Sequence, residues 1–141
     1  MAGIRGRDTK PEILVRKALH ANGLRFRLHV AKLPGKPDVV LPRHRAVVFV
    51  NGCFWHGHNC RLFRWPSTRP DFWRAKIERN RSNDARAVRE LMDLGWRVAV
   101  LWECAIRSPA QEYRQALPEW VRGSSSFGEF RDEEGLSVRV L

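Results

Sequence analysis

Cysteine is scarce, with only three among 141 residues. An odd number cannot pair fully within one chain, and Met1 to Arg7 contain no apolar stretch of the kind a secretory signal needs. Reduced thiols and a cytoplasmic, nucleoid-associated location are therefore expected. No apolar run approaches the roughly 18–20 residues that span a bilayer, so a membrane is not an expected partner. Internal repeats and long low-complexity segments are missing too. Acids are few: 15 Asp and Glu face 26 Lys and Arg, a net charge of +11. Hydrophobic residues nevertheless make up 43% of the chain, too many for a disordered basic tail. The length suits a single domain over 1–141. A compact domain this basic points to a polyanionic partner, most often nucleic acid.

The charge is unevenly placed. Residues 1–107 carry 22 Lys and Arg against 9 acids, whereas residues 108–141 carry 4 against 6. Residues 1–7 read as a flexible DNA-contacting arm and 123–141 as a peripheral segment. Of the six tryptophans, Trp96, Trp102 and Trp120 lie on apolar periodic faces and read as core. Trp55, Trp65 and Trp73 lie among Arg and Lys, where aromatics can stack on bases or wedge between them. His20, His29 and His44 read as plain surface residues. Arg74, Lys76, Arg79, Arg81 and Arg86 suit either a solvated helix face or phosphate contact.

Hydrophobic periodicity gives an element order of α-β-β-β-α-β-α, a mixed α/β arrangement around one sheet. Thr9 and Glu12 form a capping box that opens a first helix, which ends near Gly23. Leu24 to Val30 alternate as a strand. Asp38–Leu41 and Arg45–Val50 read as a hairpin of buried strands. Residues 51–69 are irregular. A long helix runs from Pro70 to Leu94, with a polar middle from Glu78 to Arg86 facing solvent or DNA. Trp96 to Trp102 is a strand. Ser108 to Gln111 reads as a second capping box, opening a last helix that runs to Val121.

Two places carry chemistry. Asp38 follows the loop Leu33-Pro34-Gly35-Lys36-Pro37 and leads directly into a buried strand. A carboxylate there must be paired, capped or bound to a cation. One reading is a turn aspartate capping Lys36 or backbone amides. The other is a Mg²⁺ ligand in a nuclease, where a hard cation holds a phosphate and activates water. The following strand, Val47-Val48-Phe49-Val50-Asn51, carries no acid, so the Glu-x-Lys that usually completes such a nuclease motif is missing. The second place is Cys53-Phe54-Trp55-His56-Gly57-His58-Asn59-Cys60. With Cys104, it offers three thiols and two imidazoles, a donor set for Zn²⁺. The spacing leaves open which histidine is the ligand. The one left over is free to act as a general base beside Asp38. The plain alternative is three buried thiols and two surface histidines.

Leu33-Pro34-Gly35-Lys36-Pro37-Asp38, Gly52-Cys53-Phe54-Trp55-His56, Phe72-Trp73-x-x-Lys76-Ile77, Gly95-Trp96-Arg97-Val98 and Trp102-Glu103-Cys104-Ala105 occur in this order. Together they resemble the very short patch repair (Vsr) endonucleases over roughly residues 4–122. The resemblance implies a restriction-endonuclease-like fold with a structural zinc. It also implies a Mg²⁺-dependent nick in one strand, 5′ to the T of a T·G mismatch left by 5-methylcytosine deamination. Asp38 matches the metal-binding catalytic aspartate, and Val50 a position whose backbone carbonyl contacts the metal. His56 matches the catalytic histidine. Cys53, His58, Cys60 and Cys104 match the zinc ligands. Glu12 matches a glutamate near the active-site waters, a role that competes with its capping box. Phe54, Trp55 and Trp73 match aromatics inserted beside the mismatch, where a mispaired step unstacks cheaply.

Asn51 stands where the best-known members carry a second histidine. Asparagine orients a water or phosphate but takes no proton at neutral pH, which leaves proton transfer to His56. The N-terminus reads as short, with Arg5 and Arg7 as phosphate contacts and Ile4 as an apolar wedge. Lys36 and Lys76 complete the expected DNA contacts. The implied partners are T·G-mismatched duplex DNA, mismatch-repair factors and a DNA polymerase. A single nick needs only one active site, so a monomer suffices. Two other readings remain: a related nuclease acting on restriction or branched DNA substrates, and a zinc-stabilised DNA-binding module without catalysis.

Overall fold

Three apolar runs form the middle of one sheet. A computed structural model, which describes residues 9–132 and 136–140, sets β2 (Val39–Leu41), β3 (Ala46–Asn51) and β4 (Arg97–Trp102) side by side. β1 (Arg27–Leu28) lies outside β2, while β5 (Phe127–Asp132) and β6 (Leu136–Val140) lie beyond β4. The pairs β1–β2, β2–β3 and β5–β6 are antiparallel, whereas β3–β4 and β4–β5 are parallel. Parallel neighbours need crossovers. α2 (Pro70–Asp93) makes the first, and α3 (Glu103–Arg107) with α4 (Tyr113–Arg122) makes the second. α1 (Lys10–Ala21) precedes the sheet. This is the mixed α/β, restriction-endonuclease-like class expected from the sequence.

Strand side chains alternate between faces. Val39, Leu41, Ala46, Val48, Ala99 and Leu101 pack on one side with Val15 and Leu19 of α1, Ile106 of α3 and Leu117 of α4. Val40, Val47, Val98 and Val100 pack on the other with Leu91 of α2 and with Cys53 and Cys104. Both faces are covered, which is why the central strands read as unbroken apolar runs. α2 touches the sheet through a narrow stripe: Ile77, Ala87 and Leu91 are its buried residues. Gly95, at φ +90°, ends that helical run.

The structure departs from the sequence reading in three places. β1 is two residues long because His29 adopts φ +55°. Leu24, Phe26 and Leu28 belong to the α1 face, and Val30, beyond that turn, packs on the opposite one. Ser108 and Gln111 do not open a helix. Gln111 at φ +49° delays α4 to Tyr113, and α3, a five-residue helix, precedes the gap. The segment after residue 123 was expected to be peripheral, yet it adds two strands, and Phe130 is fully buried. The scarcity of long apolar runs in β5 reflects burial at alternate positions, Gly128 and Phe130. Among the described residues no helix is long and apolar enough to cross a membrane.

Candidate active site and metal centre

Asp38 immediately precedes β2, and its Oδ2 accepts a hydrogen bond from the Val50 N–H at 2.7 Å. Val50 lies past the last β2–β3 register pair, Val39 with Val48, so the carboxylate supplies an acceptor where strand pairing has stopped. Burial pushes the Asp38 carboxyl up to about 7. The Val50 N–H works against the rise and the adjacent Glu12 carboxyl adds to it. Glu12 is buried at the start of α1. Its Oε2 accepts from Thr9 Oγ1 at 2.8 Å and from the Thr9 N–H at 3.3 Å, and Arg16 lies 3.5 Å from Oε1. The capping box forms in full, and the capped carboxylate adjoins Asp38. Two neighbouring carboxyls in a desolvated corner ionise together only beside a cation. Their oxygens suit a hard divalent ion.

These acids line a cleft of about 1230 Å³. Asn51, buried at the end of β3, lines it too, as do Val50, Trp55 and His56. The predicted contacts Lys36 and Lys76 also border it. So do Lys10 and Arg107, which sequence reasoning missed; Arg107 is paired with Glu103 at 2.8 Å. Ile4, Arg5 and Arg7 lie outside the described residues.

His56 faces a partner that the sequence reading also missed. Its Nδ1 hydrogen-bonds Asp84 Oδ2 on α2. Asp84 was read as part of a polar, outward face. It stands seven residues after Ile77 and seven before Leu91, both buried, and so lies on the inward stripe. An acid on such a stripe needs a partner, and that was the available signal. The backbone carbonyls of His56 and Gly57 are held by Arg81, the first at 3.2 Å. Arg81 therefore braces the loop. Gly57 makes the contact possible: at φ +61°, a Cβ there would stand 2.5 Å from Ile77 Cγ2.

The other histidine of the loop turns away. His58 Nδ1 lies 3.6 Å from both Cys53 Sγ and Cys104 Sγ, and its ring stacks on Trp102 at 4.0 Å. Cys53, His58, Cys60 and Cys104 bring one donor atom each to within 4.8 Å of one another, a group that can hold a metal ion. Backbone amides of Cys104, Leu62 and Asp132 donate to the sulfurs of Cys53, Cys60 and Cys104 at 3.3, 3.4 and 3.4 Å. Contact with Cys53 brings the Cys104 thiol down to about 4, with His58 assisting. The same contact with Cys104, together with burial, pushes Cys53 far up, and burial raises Cys60. One thiolate is favoured and two are resisted until a cation joins them, as a soft metal site requires.

Beside the cleft, Phe54, Trp55 and Trp73 form one cluster. Phe54 lies 5.2 Å from Trp55 and 5.3 Å from Trp73, and the two tryptophans are 5.7 Å apart. Asn80 anchors the Trp55 carbonyl at 2.7 Å, and Lys76 lies 5.9 Å over the Trp55 ring.

Comparison with known proteins accords with this geometry. Residues 1–62 match the family model described as DNA mismatch endonuclease Vsr. The chain is 41% identical to the DNA mismatch endonuclease Vsr of Escherichia coli over 142 aligned residues, 98% of this chain and 90% of that protein. It is 52% identical to the type II nicking enzyme V.XorIIP of Xanthomonas oryzae pv. oryzae over 106 residues, 75% of this chain and 78% of that one. It is 43% identical to the type II nicking enzyme V.NmeAIP of Neisseria meningitidis over 110 residues, 78% and 79% of the two chains.

Proposed function

The chain belongs to the Vsr family of DNA mismatch endonucleases, and from that premise we propose that it nicks one strand of duplex DNA 5′ to the T of a T·G mismatch by Mg²⁺-dependent hydrolysis. The observation that carries this reading is the meeting, in one cleft, of the Asp38–Glu12 carboxyls and the His56–Asp84 pair. A binding module has no use for acids among phosphates.

Asp38 and the Val50 carbonyl would hold Mg²⁺, which when bound offsets phosphate charge and makes water more acidic. Asp84 fixes the His56 ring through Nδ1, leaving Nε2 as the nitrogen that takes a proton from the attacking water. Glu12 orders water at the same floor. Asn51 orients a water or phosphate oxygen without accepting a proton. Lys36 and Lys76 hold the DNA backbone, with Lys10 and Arg107 beside them. Phe54, Trp55 and Trp73 enter the mismatched step, where stacking is weakest. Cys53, His58, Cys60 and Cys104 would hold Zn²⁺, which when bound would tie down the loop that carries His56. The nick leaves an end for a DNA polymerase, with mismatch-repair factors acting alongside.

The test uses end-labelled duplexes carrying T·G, T·A or a branch, each with Mg²⁺ and with EDTA. A single Mg²⁺-dependent cut beside the mismatched T is expected. Cutting of all duplexes alike would transfer the reading to a nuclease with another substrate. Asp38→Ala is expected to lose nicking while keeping its fold and bound zinc, and wild-type nicking by that variant would remove Asp38 from the mechanism.

A further inference from the structure

Trp65 is 45% exposed, a large indole left about half open to solvent. It is not isolated. Its ring lies 4.9 Å from Phe63 at 83°, and Phe63 lies 6.1 Å from Phe54, so Trp65 ends an aromatic chain that begins in the wedge cluster. Arg74 of α2 sits 4.8 Å over the Trp65 ring, and among the described residues no carboxylate pairs with it. Residues 61–76 hold five cations and one acid. Trp65 and Arg74 do not line the cleft.

From this juxtaposition we propose that Trp65 and Arg74 form a second DNA contact outside the cleft, taking a nucleotide that flanks the cut step. The proposal rests on the DNA-nicking reading. The indole face receives the flanking base or sugar by stacking, and the guanidinium, already parked above it, takes the adjacent phosphate. The surrounding positive charge selects a polyanion over a neutral or basic protein surface. Aromatic continuity with Phe54 places this contact on the same duplex that the wedge enters. A nucleotide unstacked by the wedge would need a new stacking partner nearby, and Trp65, the larger of the two exposed rings Trp65 and Phe72, offers one.

The experiment measures equilibrium binding to a T·G duplex by anisotropy, with Ca²⁺ in place of Mg²⁺, across a salt series. Trp65→Ala is expected to weaken binding roughly tenfold with little change in salt slope, since stacking releases no counterions. Arg74→Gln is expected to weaken binding and to reduce the salt slope by about 1. Trp65→Phe, which keeps a stacking face, should retain most of the affinity and checks that the fold is intact. A 2-aminopurine placed at successive flanking positions should be quenched by the wild type at one of them and restored in Trp65→Ala. Unchanged affinity and unchanged 2-aminopurine signal in both variants would overturn the proposal and give the patch to a protein partner. Failure of the wild type to nick, with binding intact, would count against the nicking reading alone.

Discussion

His56 and Asp84, the proposed catalytic pair, illustrate how little of such a pair one residue carries. An imidazole with both nitrogens unconstrained samples two tautomers and many ring orientations. A carboxylate on Nδ1 leaves one tautomer and one direction. Asp84→Asn is expected to lower single-turnover nicking by roughly 10²–10⁴-fold, the usual range for a positioned acid or base, with DNA affinity little altered. Asp84→Glu should retain more activity than Asp84→Asn, and equal losses in both would deny the orienting role. Asp38 makes a second prediction, about stability. Its folded pKa is raised to about 7 from an ordinary carboxylate value near 4, so the folded state binds the extra proton. That stabilisation is complete below about pH 4 and is lost as pH rises through 7. Without divalent ions, Asp38→Asn should therefore gain on the wild type between pH 5 and 8, on the order of 2 kcal/mol. Chemical denaturation at the two pH values measures the difference, and a constant difference would rule the assignment out. The sequence made Asp38 and the Cys/His loop readable because strand starts and dense soft donors stand out locally. Asp84 was hidden because its meaning depends on a register of seven along α2 that its arginine neighbours obscure.

The elements that were legible are those held by local chemistry. The Thr9–Glu12 box and Gly95 mark helix ends by their own hydrogen-bonding and conformational demands, and both were readable. β1 was misjudged because alternation continues in the sequence past His29 while the backbone turns there. The box at Ser108 failed because Gln111 is left-handed in tertiary context. The C-terminal strands were missed because β5 is specified by its neighbour β4 more than by its own composition. The loop from Cys53 to Cys60 depends on a close approach to α2, and two glycines test this. Gly57→Ala must accept φ +61° and a 2.5 Å clash with Ile77, whereas Gly23→Ala, at φ +74°, meets nothing within 4 Å. The first is expected to cost roughly 2–3 kcal/mol and to lower Tm by several degrees, the second only about 1 kcal/mol. Equal losses in thermal unfolding would show that the contact with Ile77 is not what holds the loop.

For the molecule as a whole, electrostatics dominates. A net charge of +11 on 141 residues, concentrated before residue 108, gives a field attractive to a phosphate backbone. Affinity for duplex DNA should fall steeply with salt, on the order of 10³-fold or more between 50 and 200 mM if six or more phosphates are engaged. A shallow slope in a salt titration would contradict a broad backbone footprint. The acids of the cleft lie inside this positive field, so a phosphate backbone drawn to the basic part of the chain would meet carboxylates at the cleft.

β3 and β4 run parallel with Asn51 opposite Trp102, so the cleft and the thiol group both begin within two residues of the same sheet edge. This has a consequence for the order of synthesis. β3 leaves the ribosome about fifty residues ahead of the strand that completes that edge, and Cys104 follows two residues after it. Until then the loop holds three of its four soft donors and His56 has no finished sheet beneath it. The proposed cutting site is therefore completed late, after most of the basic charge has already been made. Of the 26 Lys and Arg, 21 precede Cys104, so the charge comes before the site it is proposed to serve.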